Sequence, residues 1–506
     1  MSSVRTIILR DTYRDSVYLM KLSMQARNET GAAQVSAMMG TARNKELFEK
    51  SGLLTPEAAA ARPDDLVIAL EADDAEAALA CVRRLLDEAP RKAAPVGGKE
   101  PPATIEDALA EDTGLNMALI SVAGDYARYE AVKAVSAGMD VMLYSDNISI
   151  DDELALKRLA ASRGLMVMGP DCGTAIINGV PLAFANAVRR GPVGLIGASG
   201  TGLQEVSCLL DRSGVGVSQV FGTGGRDLKD AIGGLTTFAA LDRLIADPLT
   251  KIIAVIGKPP GAATRRRLID AYKKAGKPVF IHYLSARDCA GEEAAGLRVA
   301  ATLADLARLI VREVNPDAAD LSEETPAAPR LAPGLLRGLF GGGSLCREAA
   351  EIAGPILDGL KCSNLDVEGY TQISGSDGSR GHCFWDLGED EFTVGRPHPM
   401  IAPDLKMERL VAELCDPAVS VVLTDMVIGF GSHPDQARLM VEALKKAERQ
   451  SGGESRKKAV VVSVCGTDAD TPSRRDEAAA LRAAGVLVLG NNAEAARFAA
   501  RLTKGN

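Results

Sequence analysis

The segment GLIGASGTGLQEV at residues 194–206 returns in altered form as GLFGGGSLCREAA at 338–350, and that recurrence decides how the chain is read. In each copy an apolar run ends in small residues and passes into a helical pattern, the mark of a strand, a tight turn and a helix. A second pair of blocks follows in the same order. DPLTKIIAVIGKPPG from 247 resembles DPAVSVVLTDMVIGFGSHP from 416, and each leads into a helix and then a strand, KPVFIHYL in one copy and KKAVVVSV in the other. The first blocks are offset by 144 residues and the second by 169, so the later copy holds 25 more, placed within 361–407. Four blocks kept in order imply two copies of a flavodoxin-like α/β unit, at 191–313 and 335–506, expected to pair about a pseudo-two-fold axis.

Working outward, NMALISVA, YARYEAVKAVSAG, DVMLYSD, a helix near 151–163 and LMVMGPDCG make 106–190 a Rossmann-like βαβ segment, because parallel strands need a crossover. Expected strands at 4–10, 34–39 and 65–70 alternate with helical patterns at 14–28, 43–51 and 73–89, which makes 1–90 a small N-terminal α/β domain. Proline-rich stretches at 91–105 and 314–334 read as linkers. The fold class is α/β throughout.

Composition narrows the function. Of 506 residues 46% are hydrophobic and 25% charged, the net charge is −9, and aromatics make up 4%, so neither a basic stripe nor a stacking surface suits nucleic acid. The start, MSSVRTIILRDTYRDS, lacks the apolar core of a signal peptide, and no run of about 18 apolar residues spans a membrane. A cytoplasmic protein is expected, with neither nucleic acid nor membrane as partner. The nine cysteines form no CxxC pair, and the four histidines (His282, His382, His398 and His433) form no HExxH, so no metal is assigned. Neither GxxxxGK[ST] nor GxGxxG occurs, and no cofactor is assigned.

An anion must therefore be captured locally, where helix N-termini beyond the strand ends present unpaired N–H groups. Three turns qualify: Ser199-Gly200-Thr201-Gly202, Gly429-Phe430-Gly431-Ser432-His433, and Gly222-Thr223-Gly224-Gly225-Arg226, where a guanidinium joins the glycines. Each also reads as a plain tight turn that needs glycine for its φ angle. In the insertion, EFTVGRPHPM at 391–400 holds Arg396 and His398 between prolines, either a stiff ligand loop or a solvated one.

The stretch LISVAGDYARYEAVKAVSAGMDVMLYSDNISIDDELALKRLAASRGLMVMGPDCG, followed by GPVGLIGASGTGLQEV, resembles the α subunit of succinyl-CoA synthetase, and 335–503 resemble the C-terminal domain of its β subunit. With VSAMMGTARNK near the front and FTVGRPHPM near the back, the whole chain resembles the FdrA family of acyl-CoA-synthetase-like proteins. That resemblance implies a phosphate held between helices opened at Gly200 and Gly431. The synthetases carry phosphate on a histidine of a GHAGA-type loop, whereas SARDCAGEEAAGL after KPVFIHYL contains none. The GxTGxxG turn that holds CoA, and the ATP-grasp domain, have no counterpart here either. FdrA-like proteins are associated with oxamate carbamoyltransferase, which converts oxalurate and phosphate to oxamate and carbamoyl phosphate in allantoin breakdown.

The resemblance thus implies a carbamoyltransferase subunit, working with other subunits on phosphate or carbamoyl phosphate and a small carboxylate. Ser199, Gly200, Thr201, Gly202, Gly224, Gly225, Gly429, Gly431, Ser432 and His433 are the expected phosphate-binding set, with Arg226, Arg396 and His398 as catalytic candidates. An acyl-CoA ligase subunit completed by an ATP-grasp partner, and a non-catalytic scaffold subunit, are the alternatives.

Overall fold

The structure, a computed structural model, describes residues 3–12, 14, 16–87, 102–122, 124–286, 288–317, 325–363, 370–393 and 397–504, and divides into two compact units. The smaller unit comprises residues 1–108 with 390–397. In it β1 (Ser3–Leu9), α1 (Ser16–Thr30), β2 (Gln34–Met39), α2 (Ala42–Lys50), α3 (Pro56–Ala60), β3 (Leu66–Ala72) and α4 (Ala75–Asp87) follow in turn, and β1 and β2 flank β3 antiparallel. Alternation along β3 explains the two-sided packing: Leu66, Ile68 and Leu70 join Leu19, Leu22, Val82 and Leu85, whereas Val67 and Ala69 meet Phe48, Leu53 and Ala58. Helix α3, absent from the sequence reading, is one turn long and capped by Thr55. The linker expected at 91–105 lies outside the described residues up to 101, and Ile105 opens α5 (Ile105–Glu111).

In the larger unit, residues 109–389 with 398–506, the elements β4 (Met117–Ile120), α6 (Gly124–Ser136), β5 (Asp140–Leu143), α7 (Ile150–Ala161) and β6 (Val167–Met168) form a three-stranded parallel sheet. Strands β7 (Thr174–Ile177) and β8 (Val180–Ala183) form a hairpin around Asn178-Gly179, both at positive φ. The first copy then runs β9 (Arg190–Gly197), α8 (Gly200–Arg212), β10 (Val217–Gly222), α9 (Leu235–Ala246), β11 (Ile252–Gly257), α10 (Ala262–Lys273), β12 (Val279–Tyr283), α11 (Ala290–Ala294), β13 (Arg298–Val299) and α12 (Leu303–Val314). The second runs β14 (Leu335–Phe340), α13 (Gly343–Ala353), β15 (Lys361–Cys362), β16 (Thr371–Gln372), β17 (Cys383–Asp386), then, past α14 (Asp390–Thr393) of the smaller unit, α15 (Asp404–Cys415), β18 (Val419–Val427), α16 (Gln436–Gln450), β19 (Ala459–Cys465), α17 (Arg474–Ala483), β20 (Leu487–Leu489) and α18 (Asn492–Leu502).

Strand order makes the duplication explicit. The sheets read β13-β12-β11-β9-β10-β7-β8 and β20-β19-β18-β14-β17-β15-β16, so the first five strands correspond one for one. The central strands β11, β18 and β19 are buried at every residue, as parallel strands covered on both faces must be. The boundary expected at residue 190 falls inside one sheet, because the β7–β8 hairpin pairs with β10, Val220 opposite Ile176, and covers an edge that would otherwise stay open.

The copies meet through α8 and α12 of the first and α13 and α18 of the second, in one continuous apolar core. Ala495, Ala496, Ala499 and Ala500 on α18 face Ala349, Ala350 and Ala353 on α13, small side chains that let the helix axes approach closely. The contact is reciprocal at its polar points. Glu205, sixth in α8, accepts from the Asn492 N–H that opens α18, at 3.2 Å. Glu348, sixth in α13, accepts from the Leu303 N–H that opens α12, at 2.7 Å. Each copy thereby caps a helix of the other, the exchange of equivalent contacts that a two-fold relation produces.

Candidate functional site

At the carboxyl end of β9 the chain turns through Ser199, the N-cap of α8, whose Oγ accepts from Gly202 N at 3.1 Å. Gly202 has to be glycine, because a Cβ there would lie 2.3 Å from that same Oγ. A Cβ on Gly200 would face Thr174 Oγ1 at 3.3 Å. Thr174 is 3% exposed and its hydroxyl has no hydrogen-bond partner, so a buried polar atom points at the first residue of the helix. The sequence reading missed Thr174, which directly follows the LMVMGPDCG block but was not read as part of any anion site.

The helix that meets α8 is α13. Ser199 Oγ and Ser344 Oγ are 2.6 Å apart, and a Cβ on Gly342 would lie 3.0 Å from Thr201 Oγ1. Two helix N-termini, one from each copy, thus converge with three hydroxyls between them. The loop before α13 is held by Asp425, which accepts from Gly341 N at 2.8 Å and Gly342 N at 2.7 Å, while Lys406 Nζ stands 2.6 Å from the carboxylate and balances its charge. One turn along α13, Arg347 Nη1 donates to Ser285 Oγ at 2.9 Å, and Ser285 in turn bonds Glu351. The recurrence of GLIGASGTG as GLFGGGS carried the signal for α13, and by their helix starts Gly342 and Gly343 hold the N-cap and first position of α13 that Ser199 and Gly200 hold in α8, one residue off the register of the sequence blocks.

The turn at 429–433 is tied to α8 through Asn186, whose Nδ2 donates to Ile428 O at 2.8 Å and whose Oδ1 accepts from Gln204 Nε2 at 3.1 Å. Gly429 (φ 115°) and Gly431 (φ 76°) let the backbone pack on residues 183–186, and a Cβ on Gly429 would come within 2.5 Å of Ala185 O. Phe430 N donates to Ala185 O, His433 N donates to Met400 O, and His433 Nδ1 accepts from Asp435 N at 3.0 Å. Ser432 Oγ is buried without a partner. Helix α16 starts only at Gln436, with Asp435 at its N-cap and Glu477 accepting from Ala437 N at 2.9 Å. The Glu477 carboxylate thus stands at the first turn of α16, while Asp435 makes no side-chain cap and pairs with Arg438 at 3.1 Å. The N-terminus that meets α8 at Ser199 is that of α13, not of α16.

Gly224 (φ 84°) and Gly225 follow β10, and Gly224 fits against Pro170 O, where a Cβ would be 2.4 Å away. Arg226 is engaged inside the fold: Nε donates to Glu153 at 2.9 Å and Nη2 to Ile148 O at 2.7 Å. Glu153 also pairs with Lys157, which reaches Asp227 at 2.8 Å, so this charge cluster ties α7 to the first copy and commits Nε and Nη2 of Arg226 to it. Arg396 lies outside the described residues. His398 stands near the α13 loop, with Nε2 2.6 Å from where a Cβ on Gly388 would sit, beside Gly341 O and Asp386 Oδ1. Burial pushes its pKa down to about 4, Lys406 adds to this and Asp425 opposes it, so the ring is neutral at pH 7. Since Nδ1 accepts from Met400 N at 3.2 Å, the neutral ring carries its proton on Nε2.

Comparison with known proteins adds three matched domains: residues 339–502 match a CoA-ligase family, 188–282 a CoA binding domain, and 1–102 a domain described as AllF, heavy metal-associated domain. The stretch 1–102 has one cysteine, Cys81, and no histidine. Burial and Glu29 raise the Cys81 thiol, so the donor set does not fit a soft metal. The chain is 41% identical over 498 residues to YahF of Escherichia coli, an uncharacterized protein, covering 96% of each. It is 30% identical over 185 residues to the α subunit of the ADP-forming succinate–CoA ligase of Aquifex aeolicus, 35% of this chain and 59% of that one. To the sulfoacetate-CoA ligase subunit SauD of Bilophila wadsworthia it is 28% identical over 159 residues, 30% of this chain and 53% of that one. Among solved structures, an acetyl-coenzyme A synthetase of Ca. Korarchaeum cryptofilum with phosphate and ADP aligns at a TM-score of 0.37 and 16% identity, covering 81% of this chain and 87% of that one. No helix among the described residues is long and apolar enough to cross a membrane.

Proposed function

Because this chain belongs to the succinyl-CoA synthetase-like family that includes Escherichia coli YahF, we propose that it is an enzyme subunit that holds the phosphate of an acyl phosphate between α8 and α13. The observation that carries this reading is the buried, unpartnered Thr174 hydroxyl aimed at Gly200, where Ser199 and Ser344 bring two helix N-termini together. Phosphate would accept from the opening amides of both helices and from the hydroxyls of Thr174, Thr201 and Ser344. The 285–297 loop supplies no histidine, so phosphate stays a substrate or product here rather than a covalent passenger.

The reaction we favour is oxamate carbamoyltransfer. A phosphate oxygen attacks the ureido carbonyl of oxalurate, the bond from that carbon to nitrogen breaks, and the nitrogen takes the phosphate proton as it leaves in oxamate. The products are oxamate and carbamoyl phosphate. Little covalent chemistry falls to the protein; helix dipoles and hydroxyls position the phosphate and balance charge. The chain combined with its co-purifying subunits should cleave oxalurate only when phosphate is present. Cleavage that ignores phosphate would overturn the reading.

A second reading, an acyl-CoA ligase subunit completed by a nucleotide-binding partner, is favoured by the CoA-ligase and CoA binding domain matches and by the ligase subunits among the relatives. ATP, CoA and a carboxylic acid, supplied with such a partner, would yield a thioester under this reading only. If phosphate neither stabilises the chain nor supports turnover, the duplicated sheets serve as a scaffold.

A further inference from the structure

Helix α13 crosses the carboxyl edge of the first sheet between two fixed points. Ser344 meets Ser199 beyond β9, and Arg347 meets Ser285 beyond β12. Strand β11 lies between β9 and β12, and the residue that follows it is Lys258. Its position is pinned on both sides: Gly257 O accepts from Leu284 N at 2.8 Å, and a Cβ on Gly257 would lie 3.5 Å from Ala198 Cβ. The Lys258 side chain is exposed, and among the described residues no carboxylate stands within ion-pair distance of it.

We propose that Lys258 binds the carboxylate of the small acid, oxalurate or oxamate, that reacts beside the phosphate held between α8 and α13, an inference that rests on the phosphate reading above. Adjacent strands are about 4.8 Å apart, so an anion at Ser199 and Ser344 and a second at the Lys258 ammonium fit the span of one small reacting pair. The surroundings favour an anionic ligand. Partial desolvation lowers the Lys258 pKa first, Arg347 and Lys229 lower it further, and Glu389 and Asp386 act the other way. Arg347 is braced by Ser285 and Glu351 and Arg226 by Glu153, whereas Lys258 has no such engagement among the described residues and, of the unengaged lysines, follows the strand between the two fixed points of α13.

Calorimetry on the full chain, with inorganic phosphate and oxamate as separate probes, tests the assignment. Lys258→Met should raise the Kd for oxamate roughly tenfold or more, the loss expected for one charge-assisted hydrogen bond, while the Kd for phosphate stays within about threefold. Lys258→Arg should restore most of the oxamate binding. Oxamate affinity of the natural chain should fall as pH rises past the lowered lysine pKa, and that of Lys258→Arg should not. Oxamate binding unchanged in Lys258→Met, or absent from the natural chain while phosphate binds, would overturn the proposal and leave the phosphate site standing. Phosphate failing to bind while oxamate still depends on Lys258 would remove the phosphate reading alone; neither probe binding would remove both.

Discussion

Replacing Glu348 with glutamine should change how stability depends on pH more than it changes stability at any one pH. Glu348 is 2% exposed at the contact between the copies, accepts from Leu303 N and from Asn492 Nδ2, both at 2.7 Å, and has its pKa raised to about 7 by burial. The unfolded value is near 4.5, so between pH 4.5 and 7 the native state binds more protons than the unfolded chain. The stabilisation from the protonated form is complete below 4.5 and is lost as pH rises through 7. At roughly 1.4 kcal/mol per unit that window is worth about 3 kcal/mol. Glutamine does not titrate there; it keeps an acceptor for Leu303 N and faces an amide whose Oδ1 is buried without a partner, so any offset of order 1 kcal/mol is independent of pH. His398 works in the opposite sense, because its pKa is lowered to about 4, and its contribution is lost as pH falls from 6.5 toward 4. The two groups nearly cancel in the natural chain, so the informative quantity is the difference between variant and natural protein. Urea titrations at pH 4.5, 5.5, 6.5 and 7.5 should show Glu348→Gln gaining about 3 kcal/mol relative to the natural chain across the series. A difference flat to within about 0.5 kcal/mol would refute the reasoning and mean that Glu348 is charged at the copy interface at all these pH values.

Thr174→Val combined with Thr201→Val should weaken phosphate binding by roughly tenfold in calorimetry, and Ser432→Ala should leave it unchanged; the reverse would return the site to the 429–433 turn. Arg226→Met should lower stability by about 1–3 kcal/mol in urea, because Glu153 loses a partner in a buried cluster, without altering the phosphate Kd; a changed Kd with intact stability would put Arg226 back in the site. Incubation with radiolabelled carbamoyl phosphate or ATP, partner chains present, should leave no acid-labile label on this chain, and stoichiometric label lost in His433→Ala would restore the synthetase mechanism.

The alternation of apolar runs with helical patterns, and the return of GLIGASGTG as GLFGGGS, suffice to specify α/β architecture and duplication, because periodicity and turn chemistry are local properties of the chain. Ser199 as N-cap and Gly202 as its obligate neighbour follow from the same local rules. The Asn178-Gly179 pair is a hairpin signal that the sequence reading passed over, and its consequence is not local: which strand the hairpin pairs with depends on an edge left open by β10, and no local pattern records that. The partner of α8 was likewise undecided. The sequence reading offered the 429–433 turn and not the 342–344 turn, and tertiary structure separates them by what stands at each helix end, Glu477 at α16, but the Ser199 and Thr174 hydroxyls beside α13 and α8. Charged candidates divide in the same way, since an arginine in sequence carries no sign of whether a carboxylate such as Glu153 waits for it. A sequence states which groups are able to bind an anion; only the packing of distant segments, fixed by the burial of the copies against each other, decides which of those groups remain unsatisfied and face one another.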